Sequence, residues 1–236
     1  MSQALKDFFN IALKGESKTY DDHNWYTNSG LKGYIKGVSS KRYPLFNKNL
    51  SEYTIAEVIG FQANPRNANG QLWATGRYQI IPNTLKGLVK ARNLSTSQLY
   101  SESNQDMLGY DLLRLRPNLN KYIHSLNSGT QNDLELAALD MSKIWSSIGV
   151  PYRLKGAKQM VEKNQSYYSG GGDRASQKTE DIQNALKKLR SEINGKTLTF
   201  DSSGDDSKKK LNPLITTIIS SILTISIWYL IKTIKK

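Results

Sequence analysis

Glu16 is the residue from which a reaction can be built. It ends a short apolar stretch, KDFFNIALKGES (Lys6–Ser17), in which Phe8, Phe9, Ala12 and Leu13 recur at helical spacing until Gly15-Glu16-Ser17 breaks the pattern. A carboxyl group at the edge of an apolar helix loses part of its hydration. That loss raises its pKa toward the range of a working general acid. A second cluster follows in WATGRYQIIPNTL (Trp73–Leu85), with a loop glycine at Gly76, the pair Tyr78-Gln79, and Pro82-Asn83-Thr84 opening a new helix. Glutamine and tyrosine hold a sugar by hydrogen bonds without titrating near neutral pH. Glu16 is therefore the candidate catalytic residue, and Ser17, Tyr78 and Gln79 are the candidate sugar-orienting groups. Trp73 reads either as a stacking ring or as part of a core or cleft wall. Asp21 and Asp22 are the nearest candidates for a second carboxylate, with a solvated turn as the plainer reading.

The elements that must position these groups can be traced along the chain. Residues 18–50 are rich in Tyr, Asn, Ser, Gly and Lys, and the run Leu31–Val38 between turn residues predicts a small β-hairpin region. Ser51–Gln62 reads as a helix with Ile55, Val58, Ile59 and Gln62 on one face and an acidic first turn. A polar loop, Asn64–Gln71, leads into the Trp73 motif. From Asn83 onward the pattern is helical. Leu85, Leu88 and Val89 mark one stripe, and Met107, Leu108, Leu112 and Leu115 another. Leu134 to Ile148 forms the most apolar stripe, at the centre of the expected core.

Composition narrows the function classes. The chain has 236 residues, no cysteine, two histidines and a formal net charge of +13. Disulfides and cysteine chemistry are excluded, and His23 and His124 lack metal-ligand spacing, so no metal and no cofactor is expected. The basic excess runs along the whole chain and suits any polyanion. No zinc-finger, helix-turn-helix or RNA-sheet signature accompanies it, so nucleic acid is not the expected partner. The first residues lack the basic start, apolar run and cleavage site of a secretory signal peptide.

Residues 5–168 resemble the lysozyme-like muramidases and lytic transglycosylases of phage, most closely the phage lambda type endolysin. Four stretches carry the resemblance in the family's order. They are Phe8 to Ser17, Ala74 to Ile80, Ser103-Asn104-Gln105-Asp106 before an apolar helix, and Ile144 to Gly149 with Pro151-Tyr152. The resemblance implies an α+β, mainly helical lysozyme-like domain with a small β-hairpin region and a cleft for peptidoglycan glycan strands. It implies Glu16 as the catalytic acid and adds Tyr152 to the substrate-binding candidates. In the lambda type the C6 hydroxyl of the muramic acid takes the place of water and leaves a 1,6-anhydro product. The region between Glu16 and Gly76 is longer here, and no second carboxylate falls into place. A wall-binding or holin-like membrane-perturbing protein that no longer cleaves is the rival expectation, and a secreted antibacterial effector the rival setting to phage lysis or virion passage through the wall.

Past the catalytic domain expected over 1–168, residues 169–210 read as a linker that opens with Ser169-Gly170-Gly171-Gly172-Asp173 and contains an amphipathic helix over 175–194. Leu211–Ile231 carries no charge and lies between Lys208-Lys209-Lys210 and Lys232. At ~1.5 Å per residue it is long enough to cross a hydrocarbon core of ~30 Å. With Trp228-Tyr229 as an interfacial belt, it predicts a C-terminal transmembrane helix followed by a basic tail, 232–236. The expected partners are thus peptidoglycan and, through Leu211–Ile231, a lipid membrane. The expected place is a virion membrane or the host inner membrane.

Overall fold

A computed structural model describes residues 2–33, 42–67, 69–170 and 175–193. They form a mixed helix-and-sheet structure of seven α-helices and five strands among the described residues. The chain divides into two compact units. Among the described residues, one joins the N-terminal segment up to Gly15 with Asp111 to Ile193, and the other runs from Glu16 to Tyr110.

The first unit is helical. Its N-terminal helix α1 (Gln3–Ala12) starts where the Ser2 hydroxyl accepts from Leu5 N, and it buries Leu5, Phe8, Phe9 and Ala12. Helix α5 (Pro117–His124) begins with proline, whose missing N–H costs nothing in a first turn. The Asp140 carboxylate accepts from Asn118 N (3.0 Å) and Leu119 N (3.1 Å) and satisfies that exposed helix start. Asp140 belongs to α6 (Gln131–Ile144), which opens on a reciprocal cap between Thr130 and Asp133. Phe9 meets Trp145 edge-on at 6.5 Å. Two-residue strands β4 (Leu154–Lys155) and β5 (Met160–Val161) pair antiparallel.

The amphipathic helix expected in the linker is α7 (Thr179–Ile193). Its apolar residues Ile182, Ala185, Leu186, Leu189 and Ile193 are buried, and α1, α5 and α6 of this unit pack against it. Ahead of α7, Gln177 Nε2 donates to Ala12 O (2.7 Å) and Gln177 N to Ser147 O (2.9 Å). A Cβ on Gly15 would lie 2.7 Å from Ser147 Cβ, so only glycine passes there.

The second unit is built on a three-stranded antiparallel sheet in the order β2-β1-β3, from β1 (His23–Thr27), β2 (Gly30–Gly33) and β3 (Gln71–Thr75). A bulge falls between His23 and Trp25. Helix α2 (Ile55–Ala63) packs on β3 and on α3 (Pro82–Arg92). Tyr43, Phe46, Tyr53 and Phe61 form an aromatic core with centroids 4.9–5.9 Å apart, edge-to-face except for the tilted Phe46–Tyr53 pair. Helix α4 (Glu102–Arg114) begins in this unit.

His23 illustrates how the sheet is tied down. Its Nε2 accepts from Tyr43 N (2.9 Å), so the ring proton sits on Nδ1, which donates to Asp21 O (2.6 Å). Burial holds its pKa below the usual 6.5. The unfolded chain then binds more protons than the folded one as pH falls through 6.5, so stability rises with pH and levels off above that value. His124, lowered chiefly by burial, acts in the same sense. The expected result is a melting temperature that drops from pH 7 to pH 5, with a shallower drop in His23→Gln.

The expected fold requires one correction. No helix of the described residues is long and apolar enough to cross a membrane. The longest, α7, has 15 residues, or about 22 Å at ~1.5 Å per residue against a hydrocarbon core of ~30 Å, and it is charged along its outer face. The expected span Leu211–Ile231 lies outside the described residues. Among the described residues the fold is therefore a mixed helix-and-sheet structure with no membrane-spanning helix, and the expected transmembrane fold element and membrane-anchored localisation are corrected accordingly.

Candidate active site

Two loops sixty residues apart meet in the second unit. The Ser17 hydroxyl donates to the carbonyl of Arg77, which fastens the segment carrying Glu16 onto the turn after β3. Gly76 N donates to Asp22 O (2.7 Å), closing the same two loops from the other side. The turn itself needs unusual backbone. Gly76 has φ +70°, and Gln79, which is not a glycine, has φ +49°. A left-handed glutamine is sparsely populated and persists only where surroundings hold it.

Here the hold is explicit. Gln79 Nε2 donates to Gly76 O (2.8 Å) and Asp22 O (3.4 Å), and its Oε1 accepts from Asn24 Nδ2 (3.4 Å). Asn24 is buried in β1, and its Oδ1 accepts from Ala74 N (3.1 Å), so the sheet locates the amide. The Gln79 carbonyl oxygen retains a second lone pair for a further donor.

The first turn of α4 clamps both loops from behind. Gln105, 0 % exposed, donates through Nε2 to Tyr20 O (3.0 Å) and Tyr100 O (2.8 Å), and its Oε1 accepts from Arg77 N (3.0 Å). One oxygen of Asp106 accepts from both Tyr20 Oη and Tyr78 Oη, each at 2.7 Å. Burial and the adjacent carboxylate push both phenols well above the ordinary tyrosine value, so they remain donors at any physiological pH. Behind Tyr78, a Cβ on Gly109 would come within 2.4 Å of its ring, which is why a helix interior accepts a glycine there. Gly109→Ala is expected to raise local helix propensity yet destabilise the protein by about 1–3 kcal/mol through overpacking, measured by denaturant unfolding.

Several candidates take roles different from those expected. Tyr78 is 1 % exposed and Ser17 is buried, so both shape the turn from inside and neither offers itself to a sugar. Asp22 accepts from Lys18 N, Thr19 N (3.0 Å) and Thr19 Oγ1 (2.9 Å), and Asp21 from Ser51 N (2.9 Å) and Ser51 Oγ (2.8 Å). Asp22 closes a turn in the loop after Glu16, and Asp21 ties that loop to Ser51. Trp73 is half-buried and meets Tyr26 edge-on at 5.5 Å, with the Arg66 guanidinium 4.3 Å from the Tyr26 ring. Tyr152 lies in the other unit, at the surface. What stays half-exposed at the meeting of the loops is Glu16, Arg77 and Gln79.

No family model matches this chain, and neither does any curated protein or solved structure. The arrangement stands on its own geometry. It fastens the segment that carries the half-buried Glu16 to a turn that carries Arg77 and Gln79, and among the described residues there is no cluster able to hold a metal. Chemically, such a site can deliver a proton to a neutral, oxygen-rich substrate and receive one back. Tyr20, Asn24 and Gly109 were not singled out from sequence, and Gln105 and Asp106, though part of a stretch that carries the resemblance, were given no role at the site. The available signal was a Gln-Asp pair beside a helix glycine on an otherwise apolar stripe.

Proposed function

We propose that the protein cleaves the β-1,4 bond between N-acetylmuramic acid and N-acetylglucosamine in peptidoglycan, with Glu16 as acid and then base. The observation that carries this reading is the Ser17–Arg77 hydrogen bond, which brings the Glu16 segment onto the Gly76–Gln79 turn. Protonated Glu16 donates to the bridging oxygen as the bond to C1 breaks. The resulting carboxylate removes the proton of the muramic acid C6 hydroxyl, whose oxygen closes onto C1 to give the 1,6-anhydro end. The engagement of Asp22 in a local turn and of Asp21 with Ser51 favours this intramolecular route over attack by a carboxylate-activated water. Gln79 and Arg77 hold the sugar from the turn side. Phage lysis, or passage of a virion through the wall, is the setting in which such an activity serves.

The test is release of soluble muropeptides from dye-labelled peptidoglycan by the full chain. Release supports the reading, and none from several wall types by a folded chain contradicts it. Gln79→Gly adds a sharper test. Relief of the left-handed strain offsets the lost amide contacts, so stability changes by less than about 1 kcal/mol. Release is expected to fall at least about tenfold, because the loss of a fixed substrate contact acts on orientation.

A further inference from the structure

A cavity of about 410 Å³ opens in the helical unit, between the α5–α6 turn and the end of α7. None of its lining residues belongs to the candidate active site. Ile123, Leu126 and Leu134 supply apolar wall, and Lys187 and Arg190 supply two cations. Leu126 is 77 % exposed, an unusual position for a leucine unless something lies against it.

The arginine is built into place. Its Nη1 donates to Tyr122 O and to Ser128 Oγ (3.0 Å), its Nη2 donates to Leu126 O (3.4 Å), and the guanidinium lies 5.1 Å from the Tyr122 ring centre. Gly129, at φ +149°, leaves the room it needs, since a Cβ there would come 3.1 Å from Nη2. Every one of these acceptors is neutral. Among the described residues no carboxylate pairs with Arg190 or Lys187. The nearby acid, Asp133, is taken by Gly129 N, Thr130 and Lys121, while Asp7 and Glu192 pair with Lys188. The size is that of a small-molecule site, and its polarity is that of a site for an anion with an apolar body.

We propose that this cavity binds a small organic acid, its carboxylate on Lys187 and Arg190 and its body on Ile123, Leu126 and Leu134. The acid can be a hydrocarbon chain or the carboxyl end of a short peptide. The full chain, labelled with ¹⁵N, is titrated with octanoate, with N-acetyl-alanine, and with octanamide as the uncharged control. One of the two acids is expected to shift amide resonances at 122–131 and 187–191, and the tighter one identifies the source. Octanamide is expected to bind at least about fivefold more weakly than octanoate. Lys187→Met, an exposed position that folding does not use, is expected to weaken the acid about threefold, and Leu126→Asp to abolish its shifts. Shifts confined to other residues, equal binding of octanamide and octanoate, or no binding of either acid overturns the proposal.

Discussion

Glu16→Gln is expected to lower muropeptide release by about 10²–10⁴-fold while changing unfolding stability by no more than about 1 kcal/mol. The two side chains have the same shape, and the glutamine amide has no proton to give to a bridging oxygen. The fold at this point is set by neighbours that the substitution leaves alone: Ser17 on Arg77 O, Gly15 against Ser147, and the Asp22 turn. Turnover and stability should therefore separate. Release within tenfold of the parent would move the proton donor to another group. A loss of stability matching the loss of activity would make Glu16 structural.

Gly76→Ala carries the largest expected effect on stability, about 3 kcal/mol. A left-handed conformation costs a residue with a Cβ about 1–2 kcal/mol. The added methyl group would also lie 2.0 Å from Gln105 Oε1. That oxygen cannot swing aside cheaply, because the same amide holds Tyr20 O, Tyr100 O and Arg77 N in a fully buried position. Displacing it strands buried polar groups at about 1–3 kcal/mol. For a protein of this size the melting temperature should fall by about 6–12 °C. A fall under about 2 °C would show that the α4 clamp gives way easily and does not fix the turn.

Helices were legible where apolar spacing was strong. The stripes through Phe8 and Phe9, through Ile55 and Val58, and from Leu134 to Ile144 each lie on an observed helix, with Phe8, Phe9, Ile55, Val58 and Leu134 buried. The sheet was legible only in part. A small hairpin region was read within residues 18–50, and the pairing of His23–Thr27 with Gly30–Gly33 falls there. Residues 34–38 of the run Leu31–Val38 lie outside the described residues, and the third strand, Gln71–Thr75, was not read. Strand β1 mixes His23 and Asn24 with Trp25, and burial of those two polar residues rests on partners at Tyr43, Ala74 and Gln79 that hydropathy cannot see. The same limit governs the site. Sequence order aligned Glu16 with the Gly76 turn, but it could not show that Asp21 reaches Ser51. Nor could it show that Tyr78 points inward to Asp106, because those contacts span 30 and 28 residues along the chain. The charge-free run Leu211–Ile231 gave a strong local signal for a membrane helix, and the described residues contain no helix of that kind.

The most direct measurement is the mass of the fragments that the full chain and its Glu16→Gln variant release from purified peptidoglycan. Anhydro-ended muropeptides, one water lighter than hydrolytic products, are expected from the parent chain and none above background from the variant. Products one water heavier would keep Glu16 and replace the intramolecular step with hydrolysis. Equal release by both proteins, or none by a folded parent chain, would contradict the claim that Glu16 cleaves the glycan.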